Sequence, residues 1–137
     1  MEHYSHKIGN NFWHLEWCTK YRYKMMRKLE NKNLAESAIR KAAHENRIVI
    51  HEIAVMPEHV HLLVSLPNGM TDSKALALLK GRSAYLIFRN KEKTRLRYPR
   101  GHFWSSGNYA ATVGHNDIEA CTHYIRNQEQ HHAVAFT

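Results

Sequence analysis

The chain has 137 residues, 43% of them apolar, with a formal net charge of +8 and a pI near 9.7. This composition excludes a disordered chain and predicts one domain over residues 1–137 with room for a sizeable core. No apolar run approaches membrane-spanning length, the start MEHYSHKIGNN carries no apolar signal segment, and two cysteines are too few for a disulfide framework, so a cytoplasmic protein with reduced Cys18 and Cys121 and an anionic partner is expected, nucleic acid first.

Asn10 to Lys20, NNFWHLEWCTK, alternates with period two and reads as the first strand, with Trp13, Leu15 and Trp17 inward and His14 and Glu16 outward. From Asn31 to Asn46 the spacing turns helical, with Leu34, Ala38 and Ala42 on one face joined by Ala35 and Ile39. RIVIHEIAVM is a second strand, and Pro57 and Glu58 turn it into HVHLLVSL, its hairpin partner. PNGM breaks the chain, and Thr71 or Asp72 caps a helix whose inner stripe is Leu76, Leu79, Ser83 and Leu86. Gly81 is a weak point inside that helix. NKEKTRLRYPRG is a charged connection, and HFWSSGNYAATVG reads as an irregular fourth strand with Gly107 at a bulge. Asn116 or Asp117 caps a last helix running to about Gln130. The order β-α-β-β-α-β-α predicts an α+β, ferredoxin-like antiparallel sheet. Its first two helices would cover one face, and the third would lie near the open one.

His59 and His61 stand one residue apart on the third strand. Successive strand side chains point to opposite faces, so both imidazoles project from one face while Val60, Leu62, Val64 and Leu66 take the core side. Two nitrogens aimed the same way can hold a divalent metal, and a core strand has no packing use for them there. On the last helix, DIEACTHYIRNQEQHH, Ile118, Cys121 and Ile125 form the inward stripe, while Tyr124 and Gln128, four apart, share another face with Asp117 and His131 near it. Gln128 can offer a carbonyl oxygen as a third metal ligand. Tyr124, one turn away, then stands beside a metal able to bind a phosphate oxygen. A tyrosine hydroxyl, with an ordinary pKa near ~10, needs activation to attack. A divalent cation helps by polarising the phosphodiester and stabilising transition-state charge. Tyr85 and Tyr109 read as structural, and His14, His51, His102 and His115 lack paired spacing.

The combination of PEHVHLL with a later HYIRNQ resembles the single-tyrosine HUH transposases of small bacterial and archaeal insertion sequences. HUH denotes histidine, hydrophobic residue, histidine, here His59, Val60 and His61. The family's catalytic tyrosine and the glutamine four residues on fall on Tyr124 and Gln128. GHFWSSGNYAATVG resembles the segment before the tyrosine helix, and the resemblance runs from FWHLEWCTKYRYKM to Gln130. It implies a ferredoxin-like core and Mg²⁺ or Mn²⁺ held by His59, His61 and Gln128. It implies attack by Tyr124 on single-stranded DNA, leaving a 5′-phosphotyrosine and a free 3′ hydroxyl. It further implies hairpin-containing element ends as substrate and a homodimer with composite active sites.

Two basic segments are candidates for the DNA track. Lys20, Arg22 and Lys24 interleave with Tyr21 and Tyr23, and Arg95 and Arg97 adjoin Tyr98, which is expected to stack on a base. One rival reading is a non-catalytic single-stranded nucleic-acid-binding module of the same fold. Another is a zinc protein in which the histidine pair is structural.

Overall fold

A computed structural model describes residues 11–131. Asn10, the N-terminal stretch read above for a signal segment, and His132 lie outside the described residues. Four strands, β1 (Phe12–Cys18), β2 (Val49–Val55), β3 (His59–Ser65) and β4 (Tyr109–Thr112), form one sheet in the order β2-β3-β1-β4, and every neighbouring pair is antiparallel. Three helices, α1 (Leu29–Glu45), α2 (Asp72–Asn90) and α3 (Ile118–His131), complete the expected ferredoxin-like order. Short 3-10 turns occupy Lys20–Arg22, Glu92–Leu96 and His115–Asp117.

The period-two alternation of β1 and β3 decides which side closes. Leu15, Trp17, Val60, Leu62 and Val64 pack with Ala35, Ala38, Ile39 and Ala42 of α1 and Leu76 and Leu79 of α2 in one buried cluster. The alanine stripe lets α1 approach closely, and each fully buried large side chain contributes about 1.5–3 kcal/mol of transfer free energy. Thr71 caps α2, its hydroxyl accepting from the Lys74 N–H at 3.1 Å. Arg47 turns the chain out of α1 in the left-handed region at φ 57.

Only Tyr109–Thr112 of the predicted fourth strand is regular. Phe103 and Trp104 are consecutive and both buried in the same cluster, which strand alternation forbids. Trp104 reaches β1 by an isolated bridge to Thr19, and its indole N–H donates to Ser83 Oγ at 2.9 Å. Gly107 lies outside the strand, in the loop that precedes it.

On the other face a smaller cluster joins Phe12, Ala54, Leu63 and Val113 to Ile125, with Ile118 and Cys121 packed against it. This stripe seats α3. Its C-terminal half is tied to β2, where Arg126 pairs with Glu52 at 3.1 Å and the Val55 N–H donates to Glu129 Oε2 at 3.0 Å. Cys18 and Cys121 are free thiols. Among the described residues no helix is long and apolar enough to cross a membrane.

Candidate active site

Residues directly opposite in an antiparallel pair share a face. The β1–β3 register sets Glu16 against His61 and Cys18 against His59, so His14, Glu16, His59 and His61 all lie on the face away from α1 and α2. Val60 and Leu62 hold the strand from below. His59 Nε2 and His61 Nε2 stand 3.1 Å apart. Behind them, His59 Nδ1 is 2.6 Å from Glu58 Oε1 and His61 Nδ1 is 3.3 Å from Glu16 Oε2. His14 Nε2 lies 3.2 Å from the same Glu16 oxygen and 3.4 Å from His61 Nδ1.

His61 is only 3% exposed. Burial, then the neighbouring His59 and His14, push its pKa down to about 4, and burial also lowers that of His14 against the pull of Glu16. At neutral pH His61 is therefore an uncharged imidazole, the form that ligates a metal. Adjacent ligands of an octahedral ion, each about 2.1 Å from it, stand ~3 Å apart. The two Nε2 atoms match that spacing, and His14, Glu16 and His61 add a group whose donor atoms lie within 4.8 Å of one another. Paired imidazole nitrogens, with a carboxylate beside them, fit a divalent cation.

α3 brings Tyr124 to this place. Its ring centroid is 5.8 Å from that of His61 and 5.8 Å from that of His14, edge-on to both, and the residue is 50% exposed. His14, Glu16, Tyr109, Asp117, Cys121 and Tyr124 line an open cleft of about 470 Å³. Gln128 lies one turn further along α3, half-buried, and its side-chain amide makes no hydrogen bond among the described residues. The structure thus gathers His59, His61 and Tyr124 and leaves Gln128 with an uncommitted amide. Sequence spacing missed His14, Glu16 and Glu58. The outward phase of β1 in a topology that seats it beside β3 was the signal for the first two.

The basic segments meet on one side of the site. Thr19 N–H donates to the Glu58 carbonyl at 2.9 Å, which anchors the Lys20–Arg22 turn one residue from His59. Tyr21 and Arg22 hold positive φ values of 61 and 53. Such non-glycine strain persists where the surroundings enforce it and gathers at functional sites. Arg97 lies 4.4 Å over the Tyr23 ring, Lys20 5.4 Å over Tyr21, and Arg95 4.7 Å over Phe88. Arg22 and Lys24 are exposed. Tyr98 corrects the expectation that it stacks on a base. It is 2% exposed, stacked on Tyr23, with its hydroxyl donating to the Lys20 carbonyl at 2.7 Å, and burial raises its pKa to about 12. The open ring of this cluster is Tyr21, 65% exposed.

Residues 8–128 match the sequence profile of the family described as Transposase IS200 like. The transposase for insertion sequence element IS200 of Salmonella typhimurium is 27% identical over 124 residues, covering 90% of this chain and 80% of that protein. The ISDra2 transposase TnpA of Deinococcus radiodurans is 29% identical over 116 residues, covering 85% and 82%. Among solved structures, that of a candidate transposase from Deinococcus radiodurans R1 superposes with a TM-score of 0.70 at 27% identity, covering 87% of this chain and 91% of that one. A REP-associated tyrosine transposase bound to a REP hairpin shares the fold, with a TM-score of 0.65 at 17% identity over 91% of this chain and 70% of the other.

Proposed function

The chain belongs to the IS200-like transposase family, and from that premise we propose how the open face of its sheet cuts and rejoins DNA. The protein is a DNA transposase, an enzyme of DNA cleavage and strand transfer. Its substrate is single-stranded DNA carrying hairpins near the ends of its element, as the hairpin-bound relative of the same fold suggests. Tyr124 is the nucleophile. Its phenolic oxygen bonds to phosphorus as the bond to the 3′ oxygen breaks, which leaves a 5′-phosphotyrosine and a free 3′ hydroxyl. Attack by a 3′ hydroxyl on that ester reverses the step and rejoins strands without an outside energy source.

His59, His61 and Gln128 hold Mg²⁺ or Mn²⁺. Bound there, the cation supplies polarisation of the phosphodiester and stabilisation of the charge that builds on it. The chain's own residues do the rest. α3 carries Tyr124 and Gln128 past the histidine pair, the low walls of the cleft admit a strand, and Lys20, Arg22, Lys24, Arg95 and Arg97 follow its phosphates while Tyr21 offers a ring to an unpaired base. Tyr124 is half exposed, which suits a homodimer in which the tyrosine of one subunit serves the histidines of the other. The enzyme works in the cytoplasm, and residues 1–137 act as one domain.

The observation that carries this reading is the edge-on meeting of Tyr124 with His61 beside the two facing Nε2 atoms. The test is cleavage of labelled single-stranded oligonucleotides bearing the ends of the protein's own element, with Mn²⁺, with Mg²⁺ and with chelator. Cleavage with either metal, lost with chelator and in His61→Ala, is expected. Binding without cleavage under every condition would make the protein a binding module instead.

A further inference from the structure

Each histidine of the facing pair is backed by a carboxylate, and the two carboxylates come from different places in the chain. Glu58 precedes His59 directly. Glu16 arrives from the neighbouring strand, opposite His61 in register. A neutral imidazole donates from one nitrogen and accepts at the other. Glu58 Oε1 is hydrogen-bonded to His59 Nδ1 at 2.6 Å, whereas Glu16 Oε2 lies 3.3 Å from His61 Nδ1, a nitrogen also 3.4 Å from His14 Nε2. The two Nε2 atoms face each other at 3.1 Å, and a proton on each Nδ1 would leave both free to bind a cation. His14 braces the arrangement, its Nε2 lying 3.2 Å from the Glu16 oxygen that backs His61. That oxygen therefore sits between two rings carried by two strands.

We propose that Glu16 is a positioning residue of the metal centre. Its carboxylate accepts the Nδ1–H of His61, fixes the tautomer and the ring plane, and so aims Nε2 at the cation, while His14 holds the carboxylate in place. This rests on the reading of the histidine pair as a metal site. Carboxylate backing of this kind raises ligand basicity, and removing it typically costs 10–100-fold in metal affinity.

The experiment titrates metal-free full-length protein with Mn²⁺, read as free Mn²⁺ by electron paramagnetic resonance, for wild type, Glu16→Gln, Glu16→Ala, His59→Ala and the surface control Glu119→Gln. Thermal melting without metal and ¹⁵N spectra of the histidines accompany it. Affinity should fall about 10–100-fold in Glu16→Ala and less in Glu16→Gln, whose amide oxygen still accepts the proton. Melting should barely move in Glu16→Gln, Glu119→Gln should match wild type, and wild-type His61 should carry its proton on Nδ1. Wild-type affinity in both Glu16 variants, or a His61 proton on Nε2, would overturn the proposal. So would complete loss of binding in Glu16→Ala, which would make Glu16 a ligand. Unchanged binding in His59→Ala would instead remove the histidine-pair reading itself.

Discussion

On β1, Leu15 and Trp17 point to one side of the sheet and are sealed under α1 and α2, while their neighbours His14 and Glu16 point to the other and meet His61. The same alternation thus builds two unlike surfaces from one strand. The sealed side is apolar throughout its large contacts, and its worth is stability. The other side is covered by α3 only where Phe12, Ala54, Leu63 and Val113 offer an apolar seat, and beyond that seat lie imidazoles, carboxylates and a half-exposed tyrosine. Polar groups taken from water must find partners. Here they find one another, down to the two Nε2 atoms of His59 and His61 that face each other at 3.1 Å. This fold keeps its large apolar core on one face and gathers imidazoles, carboxylates and Tyr124 on the other, where the proposed chemistry lies.

That division can be broken from either side. The largest effect is expected from His59→Ala, which should lower metal-dependent cleavage by ~10³-fold or more through the lost charge stabilisation, with urea unfolding of the metal-free protein close to wild type. Loss of stability as large as that of a core truncation would mean that the open face also holds the fold. Leu15→Ala, on the sealed side, should cost about 2–5 kcal/mol in urea unfolding, while any protein that remains folded cleaves at the wild-type rate. Ser83→Ala strips the buried indole N–H of Trp104 of its acceptor and should cost about 1–3 kcal/mol. Gly81→Ala sharpens the comparison at its small end. A Cβ there meets nothing within 4 Å, so helix propensity alone should act and stabilise α2 by roughly 0.5–1 kcal/mol. Destabilisation in that variant would show a steric need for the glycine.

Much of this division is legible in the sequence, because strand parity needs no register. HVHLLVSL alone separates the histidines from Val60, Leu62 and Val64, and the helix spacing places Ile118, Cys121 and Ile125 against the sheet. The β-α-β-β-α-β order seats β1 beside β3, and with parity that already puts His14 and Glu16 beside His59 and His61. Spacing along the chain cannot reveal this, since the residues meet across strands. Tyr98 and the pair Phe103–Trp104 are legible in neither way. Their place is set by aromatic packing, with Phe103 edge-on to Phe88, Tyr98 and Trp104, and a basic, polar neighbourhood in the sequence hides a buried ring.

The central claim is that the open face does its chemistry through Tyr124. The most direct measurement is to trap the covalent complex of the full-length protein with its own element's single-stranded end in Mn²⁺, digest both polymers, and locate the retained nucleotide by tandem mass spectrometry. The account predicts a 5′-phosphate ester on Tyr124 alone, absent in Tyr124→Phe although that variant still binds the DNA. An ester on Tyr21, Tyr85 or Tyr109, or an adduct that persists in Tyr124→Phe, would contradict it.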